Sequence, residues 1–515
     1  MSERKQVILF MTDTTRQDML GCYGDSRMIT PNLDRLAQEG IRYENAYSCQ
    51  PVCGPARGAI FTGMFPHSNG VSTNSMPLGE GVKTIGQRLT DQQIHCGYIG
   101  KWHLDGGDYF GYGKCPEGWD QEYWYDMRCY LEELTDEERM KSRKRATAFE
   151  PDMTEGFTYA HRCCNRAIRF LEQYSDQDFF LTVSLDEPHG PSLCPPPFNH
   201  MYDGFSFDDN EGFHDDLSDK PLMQRLWAGK DLKASSEELR KPTEKLSMFL
   251  GCNSFADYEI GRVLKVINEK MPDALVIYTS DHGAMLGSHH LNQKNAAIYR
   301  EVANIPLLIR GGEKGKVVQY PASHIDLAPT IMDYFGMNLT GRKRALIHAS
   351  NAAGFGFFDG YHMCFMKEEL GRIGIQEKWL PEVCGAMQEL GTYRNRIVTT
   401  AIGDNQASFL GAVGNENGTL LVNIGTGGQI SVLSDQYFAE DGIEARPFLD
   451  GKYLLVGASL CGGKAYALLE ELLQTYLRII SRQKHLPTAF LKEWLWNYTR
   501  CIRLSAQEPI SRSHA

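Results

Sequence analysis

The sequence predicts an α/β fold whose mainly parallel sheet is covered by helices on both faces. One observation is a series of short, almost continuous apolar runs, such as 179–184 and 274–279, which are typical of strands buried on both faces. A second is that helical stretches separate these runs, as crossover helices do between parallel strands. A third is the length of 515 residues, which exceeds one ordinary core and predicts two or more domains.

The elements are predicted in chain order from these patterns. A helix after residue 30 has Thr30 as its predicted cap, Pro31 in its first turn and Gly40 at its end. The helix that starts at Phe255 is broken at Met271-Pro272. The other helices are predicted around 85–89 and 159–174, and strands at 6–11, 97–100, 179–184, 274–279 and 306–310.

The segment from Pro191 to Lys241 shows no clear period. It is rich in Pro, Asp, Gly and Phe, so we expect loops that pack over one end of the sheet. Loops in such a position commonly carry specificity. We therefore expect substrate selectivity to be determined in this segment.

Charge and cysteine content exclude some classes of protein. The net charge is −12, from 65 acidic and 53 basic residues, which argues against a general nucleic-acid or anionic-membrane binder. Residues 1–5 are polar and lead into the apolar run 6–11, which is too brief for a signal sequence or a membrane span. The 14 cysteines contain no C-x-x-C pair, so we expect a reducing, cytoplasmic compartment.

Polar side chains follow directly after the predicted strands: Asp13, Lys101 with His103, Glu187 with His189, and Asp281 with His282. The carboxyl ends of parallel strands open onto one crevice, so these groups are predicted to lie together. Two carboxylates and an imidazole could share one divalent cation there with residue 53. Each group alone also has an ordinary structural interpretation, as a helix cap, a solvated strand end or a turn.

The stretch Cys53-Gly54-Pro55-Ala56-Arg57 opens a helical turn of small residues. Its sulfur is predicted at a helix N-terminus beside a fixed cation, which would form an electropositive pocket for an anion. The pentapeptide alone is equally compatible with a buried core cysteine near a loop.

Together these motifs resemble the formylglycine-dependent sulfatases of the alkaline-phosphatase-like superfamily, over residues from about 6 to 338. Residues 53–57 fit that family's C-x-P-x-R modification signature, and residues 100–104, GKWHL, fit its second signature. Its late metal and sulfate block is similar to 280–283, 287–289, Lys294, 299–301 and 305–309, and its next helix to 324–330.

The resemblance implies an active site and a chemistry. A maturation enzyme would oxidise Cys53 to formylglycine, whose hydrated aldehyde attacks sulfur with one hydroxyl and expels sulfate with the other. The implied metal ligands are Asp13, Asp281, His282 and residue 53. The implied catalytic residues are Cys53, Arg57 and Lys101 at the ionised diol, His103 as its hydrogen-bond partner, and Lys294 with His189 facing the sulfate and leaving oxygen.

The sequence departs from many family members at the metal site. Thr14 follows Asp13 where a second acidic ligand is common, and His282 stands in place of an asparagine. The family resemblance implies calcium, whereas this set of ligands leaves magnesium or manganese as alternatives. The shell also resembles that of phosphonate monoester and phosphodiester hydrolases of the same superfamily.

The sulfatase resemblance ends after residues 336–339. Stretches 347–359, 403–408, 423–429, 453–457 and 461–463 resemble a carbohydrate kinase of the FGGY type, nearest to sedoheptulokinases. That family has a ribonuclease-H-like α/β fold, in which Asp404 would match the sugar-activating base and 425–428 the turn that approaches ATP phosphates. The phosphate-binding hairpin and the adenosine-binding glycine run are missing, so we expect no kinase activity.

The predicted organisation is a sulfatase catalytic domain at 1–340, a partial kinase-like segment at 341–480 and an unassigned tail at 481–515. The leading functional hypothesis is a sulfuric ester hydrolase that acts on a small sulfate ester, a sulfated sugar being the family's commonest case. Its partners would be that ester and a formylglycine-generating maturase, without nucleic acid or membrane. The alternatives are a phosphonate monoester or phosphodiester hydrolase and a catalytically inactive fusion product.

Overall fold

The computed structural model describes residues 4–205, 211–228, 244–291, 294, 298–337, 345–393, 396–413, 419–424 and 428–459. The chain divides into two compact units, Met1–Met337 and Asn338–Ala515. None of the described helices combines the length and the apolar character that crossing a membrane would require.

The first unit alternates strands with helices. Its described strands are β1 (Gln6–Asp13), β2 (Ile41–Tyr43), β3 (Ala46–Tyr47), β4 (His95–Gly100), β5 (Phe179–Pro188), β6 (Leu275–Ser280), β7 (Leu307–Arg310), β8 (Lys316–Val318) and β9 (Ala322–Ser323). Its described α-helices are α1 (Pro31–Glu39), α2 (Cys53–Thr62), α3 (Pro66–Asn69), α4 (Ile85–Thr90), α5 (Met127–Glu133), α6 (Asp136–Lys141), α7 (Tyr159–Tyr174), α8 (Leu222–Trp227), α9 (Glu244–Lys270), α10 (Arg300–Ala303) and α11 (Leu327–Tyr334).

The central sheet confirms the predicted α/β class. Its order among the described strands is β4-β5-β1-β6-β7-β2-β8. The pairs β4 with β5, β5 with β1, and β1 with β6 are parallel, whereas β7 is antiparallel to both β6 and β2. The ends of the parallel strands are in register, since Met11 pairs with Ser184, Thr12 with Ser280 and Gly100 with Ser184. The residues that follow these positions therefore meet at one edge of the sheet.

Two cores lie on opposite faces of this sheet. Along β1, Ile8 and Phe10 belong to one core, while Val7, Leu9 and Met11 belong to the other. Side chains alternate along a strand, so a strand with both faces covered must be apolar at every position. This explains why the buried strands appear in the sequence as continuous apolar runs.

The N-terminus of α1 differs from the prediction. Thr30 does not cap the helix, because its hydroxyl accepts from the backbone of Gly21 at 2.9 Å and donates to Asp34 at 3.1 Å. The carboxylate of Asp257, on α9, instead accepts from the backbone N–H groups of Asn32 at 3.2 Å and Leu33 at 2.8 Å. A cap from a distant helix leaves no signal in the local sequence.

In its described part, the second unit contains short helices and small sheets, most of them antiparallel. Its described strands are β10 (Leu346–His348), β11 (Phe358–Asp359), β12 (Cys364–Phe365), β13 (Glu382–Cys384), β14 (Glu389–Tyr393), β15 (Arg396–Thr399), β16 (Leu420–Ile424), β17 (Gly428–Ser434), β18 (Glu444–Pro447) and β19 (Tyr453–Ser459). Its described α-helices are α12 (Ala349–Ala352), α13 (Lys367–Arg372) and α14 (Asp404–Val413). The largest described sheet has the order β16-β17-β19-β18 and is antiparallel.

The kinase-like resemblance of this unit stays a prediction. Asp404, the predicted base, begins α14 and is exposed. The glycine turn at 425–427, the stretch 461–463 and the tail 481–515 lie outside the described residues.

Candidate active site

The first turn of helix α2 meets the carboxyl ends of four parallel strands at the candidate site. Cys53 is the first residue of α2, and both Cys53 and Arg57 are fully buried. Asp13 ends β1, Lys101 follows β4, and Asp281 with His282 follows β6. The structure therefore brings most of the predicted site residues to one place.

Four potential metal ligands converge at this edge. Single ligand atoms of Asp13, Cys53, Asp281 and His282 all lie within 4.8 Å of one another, and the four residues are buried. Nε2 of His282 is 3.3 Å from Sγ of Cys53, 3.6 Å from Oδ1 of Asp281 and 3.8 Å from Oδ1 of Asp13. Two carboxylates, one imidazole nitrogen and residue 53 thus fit a single divalent cation.

Thr14 orients these ligands rather than joining them. Its hydroxyl donates to Oδ1 of Asp13 at 2.5 Å, and its backbone N–H donates to Oδ1 of Asp281 at 3.2 Å. Where many family members have an acidic metal ligand, this chain therefore has Thr14, which donates hydrogen bonds to two ligands instead.

Arg57 fixes the two carboxylates. Its Nε donates to Asp281 at 3.1 Å and its Nη2 to Asp13 at 3.4 Å, while Nη1 donates to the carbonyl of Lys101 at 2.6 Å and to Ser184 at 2.7 Å. Burial lowers the pKa of Arg57, but Asp281, Tyr98 and Asp13 reverse this effect, so the net pKa is raised and the guanidinium stays charged. Arg57 is thus a positioning residue for the ligands.

Two lysines complete the cationic side of the site. Nζ of Lys101 donates to Asp13 at 2.6 Å and to Asp186 at 2.9 Å. Nζ of Lys294 donates to Sγ of Cys53 at 2.6 Å and lies 3.0 Å from Nε2 of His282. Burial opposes the charge of both lysines, but Asp13 with Asp186 raises the pKa of Lys101, and Asp13 with Cys53 raises that of Lys294.

These cations also control the acidity of Cys53. Burial and the charge of Asp13 both raise the pKa of its thiol, yet Lys101, His282 and Lys294 outweigh them and the net pKa is lowered. The same balance applies to Asp13. Burial raises the pKa of its carboxyl group, but the surrounding cations outweigh burial and lower that pKa well below its usual range. The site therefore stabilises an anion at residue 53.

The two predicted histidines lie at the border of this cluster. Burial, followed by the charge of Lys101, lowers the pKa of His103 to about 4, so this imidazole is neutral at pH 7. Its Nδ1 is buried and has no hydrogen-bond partner among the described residues. Nδ1 of His189 lies 2.9 Å from the hydroxyl of Tyr109 and 3.1 Å from the carbonyl of Gly190.

Sequence reasoning missed Asp186 and Tyr109. The hydroxyl of Tyr109 donates to Asp186 at 2.5 Å, and its ring lies 4.0 Å from Nζ of Lys101. Asp186 therefore links Lys101 to Tyr109 and His189. Its position at the end of β5 was a usable signal, whereas Tyr109 comes from a loop without a motif.

Glu187, which the sequence placed in the crevice with His189, does not join the ligand cluster. Its Oε1 accepts from the backbone N–H of Ala160, in the first turn of α7, at 2.8 Å. Burial and the adjacent Asp186 raise the pKa of Glu187 to about 8. Consecutive strand residues face opposite sides of a sheet, so Asp186 contacts Lys101 whereas Glu187 contacts the backbone of α7.

Comparison with known proteins gives matches over the first unit. The Sulfatase family profile matches residues 5–337. The uncharacterized sulfatase YidJ of Escherichia coli K12 is 42% identical over 341 residues, which cover 64% of this chain and 67% of that protein. An N-acetylglucosamine-6-O-sulfatase of Bacteroides thetaiotaomicron is 25% identical over 391 residues, covering 66% of this chain and 69% of that protein.

Solved structures share the fold. The phosphonate monoester hydrolase of Agrobacterium radiobacter matches with a TM-score of 0.55 at 22% identity, covering 65% of this chain and 74% of that chain. The structure of BT4656 in complex with its substrate D-glucosamine-2-N,6-O-disulfate matches with a TM-score of 0.52 at 22% identity, covering 66% of this chain and 78% of that chain. At these identities the likeness concerns the fold alone.

Proposed function

Because the chain belongs to the sulfatase family, we propose that it hydrolyses a small sulfuric ester with a formylglycine nucleophile made from Cys53. The observation that carries the proposal is the burial of Cys53 between three ligand side chains and the ammonium of Lys294. Cations that lower the pKa of a thiol at this position would equally favour the ionised hydroxyl of an aldehyde hydrate.

The four-ligand cluster fits the family's divalent cation. Asp13, Asp281, His282 and residue 53 would hold it, since their ligand atoms converge and Arg57 and Thr14 already orient the carboxylates. When bound, the cation would lower the pKa of the nucleophile and hold a sulfate oxygen. Calcium is the family expectation, and the imidazole nitrogen of His282 keeps manganese and magnesium as alternatives.

The chain's own residues would perform the remaining steps. Lys294 would face the sulfate, because its Nζ donates to Sγ of Cys53, and the nucleophilic hydroxyl would take the place of that sulfur atom. Lys101, held between Asp13 and Asp186, would keep positive charge beside that nucleophile. His103, which is neutral at pH 7, could accept a proton from the diol.

His189 is the proposed proton donor to the leaving oxygen. Tyr109 donates its hydroxyl hydrogen to Asp186, and the carbonyl of Gly190 can only accept. Both groups therefore act as acceptors towards Nδ1 of His189, so Nδ1 carries a hydrogen. Its Nε2 is then the nitrogen that protonates the leaving alkoxide when the ring is charged.

Three further proposals rest on the sequence. We place the protein in the cytoplasm, because its 14 cysteines contain no C-x-x-C pair. A formylglycine-generating maturase is the required partner. The second unit remains a proposed fragment of an FGGY-type kinase, without kinase activity.

Hydrolysis of phosphonate monoesters or phosphodiesters is the second candidate function. It is favoured by His282 in the ligand cluster and by Thr14 in place of a second carboxylate. The two candidates separate when one preparation is offered 4-nitrophenyl sulfate and 4-nitrophenyl phenylphosphonate. Faster turnover of the phosphonate would replace the leading proposal.

Replacing Cys53 tests the mechanism. Protein that is coexpressed with a maturase should hydrolyse 4-nitrophenyl sulfate, and Cys53→Ala should reduce kcat to the uncatalysed background, since no nucleophile remains. Cys49→Ala, four residues earlier, is the matched control and should retain activity. Turnover in the Cys53→Ala enzyme would contradict the mechanism, and a residue 53 that stays a thiol by mass spectrometry, with no bound metal, would indicate an inactive fusion product.

A further inference from the structure

A cavity of about 610 Å³ in the first unit is lined by residues that the proposed mechanism does not use. Ten described residues line it, nine of them polar or charged, and we refer to it as the polar cavity. None of the ten belongs to the ligand cluster or to the implied catalytic residues. Three of them, His289, Glu301 and Asn304, each bring a nitrogen or oxygen atom that could bind a cation.

His289 is held in place through one face and one nitrogen of its ring. The ring stacks on Tyr299 with the two centres 3.9 Å apart, and Nδ1 lies 2.6 Å from Oδ2 of Asp215. Burial raises the pKa of Asp215, but hydrogen bonds from His289 and from the backbone of Leu217 outweigh burial, so the net pKa is lowered. A carboxylate can only accept, so Nδ1 of His289 carries the hydrogen and the lone pair of the neutral ring is at Nε2.

The other nitrogen of His289 has a carboxylate at the distance of a second ligand. Nε2 lies 3.8 Å from Oε1 of Glu301, which is too long for a hydrogen bond. A cation that binds both atoms at about 2.0–2.2 Å fits between them. The two side chains are 17% and 12% exposed, so such an ion would be largely shielded from water.

Asn304 brings a buried oxygen that lacks a partner. The residue is 4% exposed, and its Oδ1 accepts no hydrogen bond from the described part of the chain, while its Nδ2 donates to the carbonyl of Glu44 at 3.5 Å. Asn304 follows Glu301 by three residues across the single turn of α10, and both line the polar cavity. A buried carbonyl oxygen without a partner is destabilising, and a bound cation would satisfy it.

The charge of the polar cavity also favours a cation. Among the described lining residues the acidic ones are Asp18, Glu211, Asp215 and Glu301, and the basic ones are Arg16 and Arg300. Arg16 is paired with Asp18, because its Nε donates to Oδ1 at 2.8 Å and its Nη2 to Oδ2 at 2.5 Å. Carboxylates therefore outnumber guanidinium groups in the cavity, which attracts positive charge.

We propose that the polar cavity is a second metal site, which binds a divalent cation of the zinc class. Nε2 of His289, Oε1 of Glu301 and Oδ1 of Asn304 are its ligands, and Asp215 orients the histidine. One imidazole with one carboxylate suits Zn²⁺ or Co²⁺ but not Ca²⁺, which takes about six to eight oxygen ligands. Because Asp215 belongs to the segment from Pro191 to Lys241, the ion would connect that segment to α10.

Counting bound cobalt tests the site without any turnover, with Co²⁺ as the probe. After equilibrium dialysis of the full chain against Co²⁺, elemental analysis should find two ions per chain, one in the ligand cluster and one in the polar cavity. His289→Gln and Asp13→Asn should each reduce the count to one, and the double variant should bind none. The matched control is His67→Gln, because His67 is exposed and lies outside both sites, and it should still bind two ions.

Affinity distinguishes a metal site from an imidazole that only bridges two carboxylates. Asp215→Asn keeps the shape of its side chain but removes the charge that orients His289, so the Kd of the second ion should rise about 10- to 100-fold. Glu301→Gln, which removes the charge of a direct ligand, should raise this Kd by at least about tenfold. A purely structural role of these side chains would leave cobalt binding unchanged in both variants.

The outcomes for the two metal sites are separate. An undiminished cobalt count in His289→Gln, or equal Kd values of the second ion in the wild type, Asp215→Asn and Glu301→Gln, would overturn the inference and leave the proposed hydrolysis intact. A wild-type count of one that falls to zero in His289→Gln but not in Asp13→Asn would support the second site and contradict the metal role of the ligand cluster.

Discussion

At the scale of single residues, the charges of the site are arranged in pairs. Each buried carboxylate of the ligand cluster contacts a buried cation, as Arg57 contacts Asp13 and Asp281, and Lys101 contacts Asp13. Removing one member of such a pair leaves an uncompensated buried charge, which costs more than the pair itself contributes. Substitutions next to the ligands are therefore informative only when they conserve shape.

Asp186→Asn tests the residue that connects Lys101 with Tyr109. The amide oxygen can still accept hydrogen bonds but carries no charge, so Lys101 should lose part of its fixed position beside the nucleophile. We expect kcat to fall about 10- to 100-fold with a smaller change in KM, the loss typical of a group that orients a catalytic one. Tyr109→Phe, which removes only the hydroxyl, is the graded control and should have a smaller effect. An unchanged kcat in Asp186→Asn would exclude this role.

Glu187 should make stability depend on pH. Burial and Asp186 raise its pKa from 4.5 to about 8, so between these values the folded protein holds a proton that the unfolded chain has lost. This stabilising contribution is complete below pH 4.5 and is lost as the pH rises towards 8, by up to about 1.4 kcal/mol per pH unit.

Glu187→Gln keeps the shape of this side chain and removes its titration. The free energy of unfolding in urea should therefore decrease less steeply between pH 5 and pH 8 in the variant than in the wild type. Parallel curves for the two proteins would mean that the pKa of Glu187 is not raised in the folded state.

At the scale of elements, the sequence predicted what continuous local patterns encode. The helix α7 was predicted at its observed bounds, and the strand-end rule brought Asp13, Lys101, Asp281 and His282 together. Sequence reasoning failed where a contact comes from far along the chain, as with the Asp257 cap on α1. It also failed where the alternation of side chains along a strand decides which residue enters the site, as with Asp186 and Glu187. The sequence analysis also started α9 at Phe255 rather than Glu244, although Leu246, Phe249 and Leu250 already have helical spacing and pack in one apolar cluster.

Gly100 allows β4 to pass close to β5 at the point where Lys101 enters the site. Its φ is +121°, and a methyl group there would overlap the carbonyl oxygen of Ser184. Gly100→Ala should therefore lower the free energy of unfolding by at least ~3 kcal/mol, measured by urea denaturation. Gly156→Ala is the control, since the nearest atom to its new methyl group is 3.9 Å away and little change is expected. Similar stability of both variants would show that the strands can separate without cost.

At the scale of the whole molecule, the two units differ in the size of their described cores. Two large clusters cover the faces of the sheet in the first unit. The largest cluster in the described part of the second unit consists of six buried residues, including Phe409, Phe448 and Leu454. Apolar side chains such as Ile397 and Leu420 are 66% and 57% exposed there. Less burial of apolar surface in its described part predicts a lower stability for the second unit.

Calorimetry should consequently resolve two unfolding transitions, the first from the second unit. Because the ligand cluster lies within the first unit, calcium should raise only the later transition. Binding to the folded state stabilises it by about 2.7 kcal/mol at a hundredfold excess over Kd. Asp13→Asn should abolish this shift, whereas Asp404→Asn, in the second unit, should preserve it. A single transition, or a metal shift of both transitions, would mean that the two units unfold as one cooperative structure.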